Sequence, residues 1–251
     1  MNKEELIRER DFHNERFSHE KDPRSGLQRW YAAVRHCAER QNRLVIEYSR
    51  GNAVLEYGCA DGKLSLSELK LPVDCRHLTG IDISDVAIEK AREKASELGM
   101  SVNVDFLAMN AEAMTFNDAS FDLVFGRGIV HHLTTETCFS EVARVLRPGG
   151  VAIFCEPLAY NPFLNIYRWR TPNIRTPDEH PLRWSDFNLA GQYFARVDTE
   201  FYGLFSVAGA FLDSRSSGII YRVCKGIDSV VLRIPLVKWL AWQCLIICRK
   251  E

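Results

Sequence analysis

The stretch Glu56-Tyr57-Gly58-Cys59-Ala60-Asp61-Gly62 decides how the chain is read. It follows a short β-rich run, Ala53–Tyr57, and precedes Lys63–Leu71, whose spacing predicts a helix. Strand, glycine-bearing turn and helix start together form a cradle for a nucleotide-like ligand. Glycine lets backbone approach the ligand closely, and the free amides of a helix start point at it. The next strand, His77–Ile83, carries Leu78-Thr79-Gly80-Ile81-Asp82. An acid at that distance beyond the turn is placed to accept both hydroxyls of a ribose.

Outward from this point the same texture continues. Ser84–Leu98 reads as a helix capped by Ser84, Val102–Leu107 and Phe121–Phe125 as strands, Thr135–Leu146 as a helix and Val151–Cys155 as a strand. Strands alternating with helices predict βαβ units and a mostly parallel sheet. Residues 1–48 read as a helical cover. There Trp30, Tyr31, Val34 and Cys37 recur at near-helical spacing, and Asp22–Gly26 breaks the region in two. Residues 49–251 read as one domain. Within it 157–184 holds five prolines and no clean period, and is expected to be an irregular lid with a short helix at 161–170. Beyond the lid, Ser185–Ala190 reads as helix and Val197–Leu204 as strand. Residues 205–227 resist assignment, Ser229–Leu240 has a helical pattern broken by Pro235, and Trp242–Cys248 reads as strand.

Two cofactor classes use a glycine turn followed by a ribose-binding acid. The dinucleotide fingerprint G-x-G-x-x-G needs glycine at 58, 60 and 63, where this chain has Gly58, Ala60 and Lys63. A lysine would collide with a tightly packed pyrophosphate turn. The run instead resembles motif I of the class I S-adenosylmethionine (SAM)-dependent methyltransferases. The resemblance extends in register over residues 50–157. Asp82 matches the family's ribose acid, and Asn110-Ala111-Glu112 the polar pair set against adenine. Phe121–Phe125 resembles its fourth strand, entering Gly126-Arg127-Gly128-Ile129-Val130-His131-His132-Leu133, and Glu141–Gly150 its next helix and turn. The resemblance implies an α/β fold with a Rossmann-like seven-stranded mixed sheet, mostly parallel with the last strand antiparallel and inserted between strands five and six, and helices on both faces. It also implies SAM as cofactor and S-adenosylhomocysteine as product.

On that basis the cofactor set is Glu56, Gly58, Cys59, Gly62, Asp82, Ile83, Asn110, Ala111, Glu112, Gly126 and Arg127. Glu56 would hold the amino group of the methionine portion or orient the glycine loop through water. Cys59 is expected to be a small loop residue without a base beside it, not a nucleophile. Arg127 would line the pocket or stand as a loop charge. His131, at the start of the helix after the fourth strand, and Glu156, at the end of the fifth strand, are candidates to orient or deprotonate an acceptor, with His180 on the lid and His13 in the N-terminal helix as further candidate bases. His132 is expected to fix its loop. No metal ligand set stands out.

The acceptor is narrower by exclusion. The Asn/Asp-Pro-Pro-aromatic run of base amino-methylating enzymes is replaced by Gly126–Ile129, and the paired-glutamate loop of arginine methyltransferases is missing. A small molecule methylated on oxygen, nitrogen or carbon is expected: a metabolite, a sugar or a lipid-linked intermediate. Four arginines between Arg168 and Arg183, interleaved with aromatics, leave an anionic acceptor open. An RNA or protein methyltransferase, and a SAM-binding cyclase or scaffold that transfers no methyl group, remain as alternatives. The 251 residues carry a net charge of −1, which gives no reason to expect a general nucleic-acid binder. Eight cysteines without CxxC or zinc spacing predict free thiols in a reduced, cytoplasmic setting. The charged opening MNKEELIRERDFHNERF does not read as a signal peptide, and the apolar stretch Leu236–Cys248 is too short to span a bilayer. Apolar residues from Ile227 to Cys248 raise contact with a membrane surface or with a second copy. A core-facing helix is the preferred reading.

Overall fold

The computed structural model describes residues 2–19, 34–171, 176, 179–212 and 218–251. The expected break at 22–26, the aromatic pair Trp30 and Tyr31, and the lid's Arg175 lie outside them. At the centre is β1 (Ala53–Tyr57), buried at every position and paired in parallel with β2 (His77–Asp82) on one side and β4 (Phe121–Arg127) on the other. A strand covered on both faces needs apolar residues in succession, and Val54 and Leu55 supply them with no exposure. Outward lie β3 (Val104–Ala108) beyond β2 and β5 (Leu146–Pro157) beyond β4. The seven strands run in the order β3-β2-β1-β4-β5-β7-β6. β7 (Gln243–Arg249) lies antiparallel to both β5 and β6 (Arg196–Tyr202), so one reversed strand sits between the fifth and sixth, as the resemblance implies.

Two core clusters cover the sheet's two faces. Leu55, Tyr57, Ile81, Phe139 and Phe154 belong to one, and Val54, Leu78, Ile88, Phe106 and Phe125 to the other. α2 (Arg35–Ser49) and α3 (Asp85–Glu97) pack on the second, and α4 (Thr135–Val145) on the first. α1 (Lys3–Ser18) lies against α3, where Asn14 Oδ1 accepts from Ser84 Oγ at 2.7 Å. Ser84 caps α3 as expected, accepting from the Ala87 amide at 3.1 Å. All eight cysteines are free thiols.

Two expectations fail locally. The helix expected over 63–71 is one π-helical turn, Lys63–Glu68, followed by a short 3-10 turn at Leu71–Val73. Lys70 takes a left-handed backbone, φ +53°, and Pro72 has no amide to continue the ladder. The second failure is near the C-terminus. α7 (Phe205–Leu212) and α8 (Ile219–Val231) occupy the unassigned region, and α8 ends where the helical pattern at 229–240 was expected to run. Only Val237–Leu240 then turns, beyond Pro235. α5 (Pro162–Arg170), capped by Asn161, and α6 (Trp184–Tyr193) flank the remainder of the lid.

Candidate active site

The sheet order reverses between β1 and β4, so their carboxyl ends open a crevice. The turn leaving β1 lines it. Gly58, Ala60 and Gly62 all have positive φ, +76°, +50° and +68°. At Gly58 a Cβ would come within 2.9 Å of the Ile129 side chain, so glycine is required for space as well as conformation. Ala60 has no such freedom, and its left-handed backbone is held by one bond. Its amide donates to Asp82 Oδ2 at 2.8 Å. Asp82 Oδ1 accepts from the Ser84 amide at 3.0 Å. The expected ribose acid therefore also fastens the glycine turn to the end of β2, with half-buried Ile83 between its two anchors. Asp61 is pinned by Lys94 of α3, whose ammonium reaches its carboxylate at 2.6 Å.

Glu56 is 2% exposed, and its Oε2 is a buried oxygen without a hydrogen-bond partner. Burial pushes its carboxyl up to about 8, against a hydrogen bond to Ser65 and the field of Arg127. A buried acid of this kind is neutral near pH 7 until a cationic group arrives beside it. The amino group of a methionine moiety is such a group, and the narrow glycine turn suits a close backbone approach. The residues present thus fit the cofactor that the sequence implies.

The other expected contacts take more structural parts. Asn110 Oδ1 accepts from the Glu112 amide at 2.9 Å, closing a local turn. Glu112 is buried and accepts the Thr134 amide at the start of α4, while Ala111 O accepts from Tyr57 Oη at 2.7 Å. Gly126 leaves no room for a side chain, since a Cβ would lie 2.6 Å from Tyr57 O. Arg127 donates to Gln41 Oε1 at 2.8 Å and Asn42 Oδ1 at 2.5 Å, tying α2 to β4. Cys59 is buried, and burial with the neighbouring Asp82 and Glu56 raises its thiol well above the usual range, which suits packing and not nucleophilic attack.

Past β4, Glu156 is fully buried. Its Oε1 accepts the amides of Ile129 and Val130 at 2.9 and 3.0 Å, and its Oε2 meets His131 Nδ1 at 2.7 Å. Burial pushes the Glu156 carboxyl up to about 7 against these amides. Glu156 thus orients the His131 ring and shapes the loop that carries it. His180, on the lid, donates its amide to His131 O at 2.8 Å. His13 approaches Glu9 Oε2 at 3.5 Å, and His132 Nδ1 approaches the same oxygen at 3.4 Å. His132 is the joint of the arrangement, because its Nε2 faces Glu179 at 3.7 Å and Glu179 faces Arg168 at 3.8 Å. Burial lowers His132, while the nearby His13 and His132 rings hold the Glu9 carboxyl low despite its own burial. The donor atoms of Glu9, His13 and His132, and those of His131, His132 and Glu179, lie within 4.8 Å of one another. Such spacing would admit a cation, but each acid already faces a histidine or Arg168, and no ion is assigned to it.

The sequence reading passed over Glu9, Gln41, Asn14 and Glu179. Glu9 stands four residues before His13, a spacing that puts both on one helix face, yet it sits in a run of exposed charges that hides it. Gln41 is fully buried and donates to Gly126 O at 2.7 Å, a contact no spacing announces.

Comparison with known proteins agrees with this geometry. Residues 54–150 match the family described as a methyltransferase domain. The O-methyltransferase rstn1 of Aspergillus nomiae is 38% identical over 102 residues, covering 40% of this chain and 44% of that protein. The ubiquinone/menaquinone biosynthesis C-methyltransferase UbiE of Enterobacter sp. is 31% identical over 108 residues, 43% of each. The matches therefore span less than half the length of these curated relatives. Among solved structures, geranyl diphosphate C-methyltransferase from Streptomyces coelicolor superposes with a TM-score of 0.62 at 12% identity, covering 85% of this chain and 78% of that one.

Proposed function

We propose that the chain is a class I SAM-dependent methyltransferase that transfers the methyl group of SAM to an oxygen, nitrogen or carbon of a small-molecule acceptor. The observation that carries the reading is the β1 cradle: a glycine turn held by Asp82, beside a buried Glu56 whose Oε2 has no partner. SAM, when bound, supplies a methyl group on a sulfonium, already activated for in-line displacement. The chain's own work is alignment, exclusion of water and handling of a proton. Asp82 receives the ribose hydroxyls on the carboxylate that also shapes the turn. Glu56 receives the ammonium of the methionine portion and ionises as it does so. Gly58 and Gly62 keep the backbone close to the ligand. His131, oriented through Nδ1 by Glu156, takes a proton from an acceptor hydroxyl or amine. α1 and the lid, joined through Glu9, His132 and Glu179, cover this end of the sheet and limit water. Relatives named as O- and C-methyltransferases support oxygen and carbon as acceptor atoms.

Calorimetric titration with SAM tests the cofactor half. Asp82→Ala is expected to weaken SAM binding about a hundredfold, because charge-assisted bonds to the ribose are lost. Unchanged affinity would sink the assignment. For the chemical half, phenols, quinols, amines and carboxylates are incubated with labelled SAM, and S-adenosylhomocysteine release is followed. His131→Ala is expected to slow turnover about a hundredfold at unchanged SAM affinity. SAM binding without product release over the whole set would favour the cyclase or scaffold alternative.

A further inference from the structure

We propose that α8 and the residues after it dock the protein onto the surface of an anionic lipid bilayer. α8 has two apolar faces. One packs inward through buried Tyr221, which joins Leu164, Val207 and Trp242 in a small core cluster. The other carries Ile219, Ile220, Val223, Ile227 and Val230, exposed by between 43% and 79%. At about 100° per residue these five fall within an arc of roughly 100°, centred well away from Tyr221 and Asp228. A stripe of that width is what a helix normally buries, and here it faces solvent. Ile234 and Leu236 extend the exposed apolar surface past the helix end.

Charge selects the occupant. Between Ile219 and Leu240 the cations are Arg222, Lys225, Arg233 and Lys238, and the one acid is Asp228. Asp228 is buried and consumed internally. It accepts the amides of Leu204, Phe205 and Ser206 and the Ser206 hydroxyl. Arg222, Lys225 and Arg233 are exposed, so the whole surface charge of the segment is positive. An outward apolar stripe flanked by cations is the pattern of a helix lying in a bilayer interface with anionic headgroups. α5, tied to the same small cluster through Leu164, exposes Phe163, Ile166 and, at 79%, Trp169. Indole and phenyl rings favour the headgroup boundary. A second copy of the chain would bring the same cations face to face, which argues against self-association through this stripe. Among the described residues no helix is long and apolar enough to cross a membrane, and the contact proposed is with the bilayer surface.

The test is co-sedimentation of the full chain with vesicles of phosphatidylcholine alone or with about a third phosphatidylglycerol, at low and high salt. The wild type is expected in the pellet with anionic vesicles, less so at high salt, and in the supernatant with neutral ones. Val223→Glu and, separately, the double change Arg222→Glu, Lys225→Glu are each expected to lower the fraction bound to anionic vesicles about tenfold. Both variants should keep the wild-type circular dichroism spectrum and SAM affinity. Wild-type protein that stays in the supernatant with both vesicle types overturns the proposal. So does a dimer, seen by light scattering, that Val223→Glu dissociates, because the stripe would then be an interface between copies. Vesicle binding and SAM binding are read separately, so failure of one leaves the other standing.

Discussion

The half-sheet from β1 to β5 and the helices from α5 to α8 treat apolar residues in opposite ways. In the half-sheet, runs such as Val54-Leu55 and Leu123–Phe125 are without exposure. In α8, a stripe of isoleucine and valine faces outward. The difference is one of cover. Each central strand is flanked by two strands and two helical layers, whereas among the described residues α8 packs inward through Tyr221 and leaves its isoleucine and valine stripe exposed. Periodicity therefore reports that a helix has an apolar face, but not whether that face meets the core.

Substitutions sharpen this contrast, beginning with the largest effect. Phe154→Ala in β5 should destabilise the fold by about 3–5 kcal/mol, read as a shift of the denaturant midpoint at constant slope. Glu56→Gln should change the pH dependence of stability by about 4 kcal/mol between pH 5 and pH 9. Folding raises the Glu56 carboxyl to about 8, so its contribution is present in full below the unfolded value and fades as pH rises through 8. Melting curves of the wild type should thus fall across that range more steeply than those of the variant. Asp82→Ala should cost about 2 kcal/mol, because two turn amides lose their acceptor, in addition to its effect on SAM. That structural share is larger than the sequence alone suggested, since the ribose acid is also the clasp of the turn. Val223→Ser should move stability by no more than about 0.5 kcal/mol. A loss of several kcal/mol there would mean that the stripe is buried in solution.

The sequence made the cofactor half legible because its constraints are local. A strand end, a turn needing positive φ at Gly58 and Gly62, an acid at Asp82 and a cap at Ser84 are each read within a few residues, and their order carries the fold. The acceptor side was legible only as a set of candidates. His131 and Glu156 stand 25 residues apart in the chain, and their 2.7 Å contact exists because β4 and β5 pair in register, Arg127 with Cys155. Glu9 and Gln41 carried no signal, since a buried polar residue is defined by what surrounds it and not by its neighbours in sequence. Lys63–Leu71 failed for the opposite reason, because a helical pattern was overruled by the left-handed Lys70 and the missing amide of Pro72.

By itself the sequence determined the alternation of strands and helices and the glycine turn with its acid, because these follow from short-range sterics and hydrogen-bonding geometry, while the reversed last strand came only as what the family resemblance implies. Only the tertiary structure decided that Asp82 clasps the turn, that Glu156 steers His131, that Arg127 binds α2, and that the apolar face of α8 looks outward. Each of those depends on which surfaces the packed sheet leaves covered.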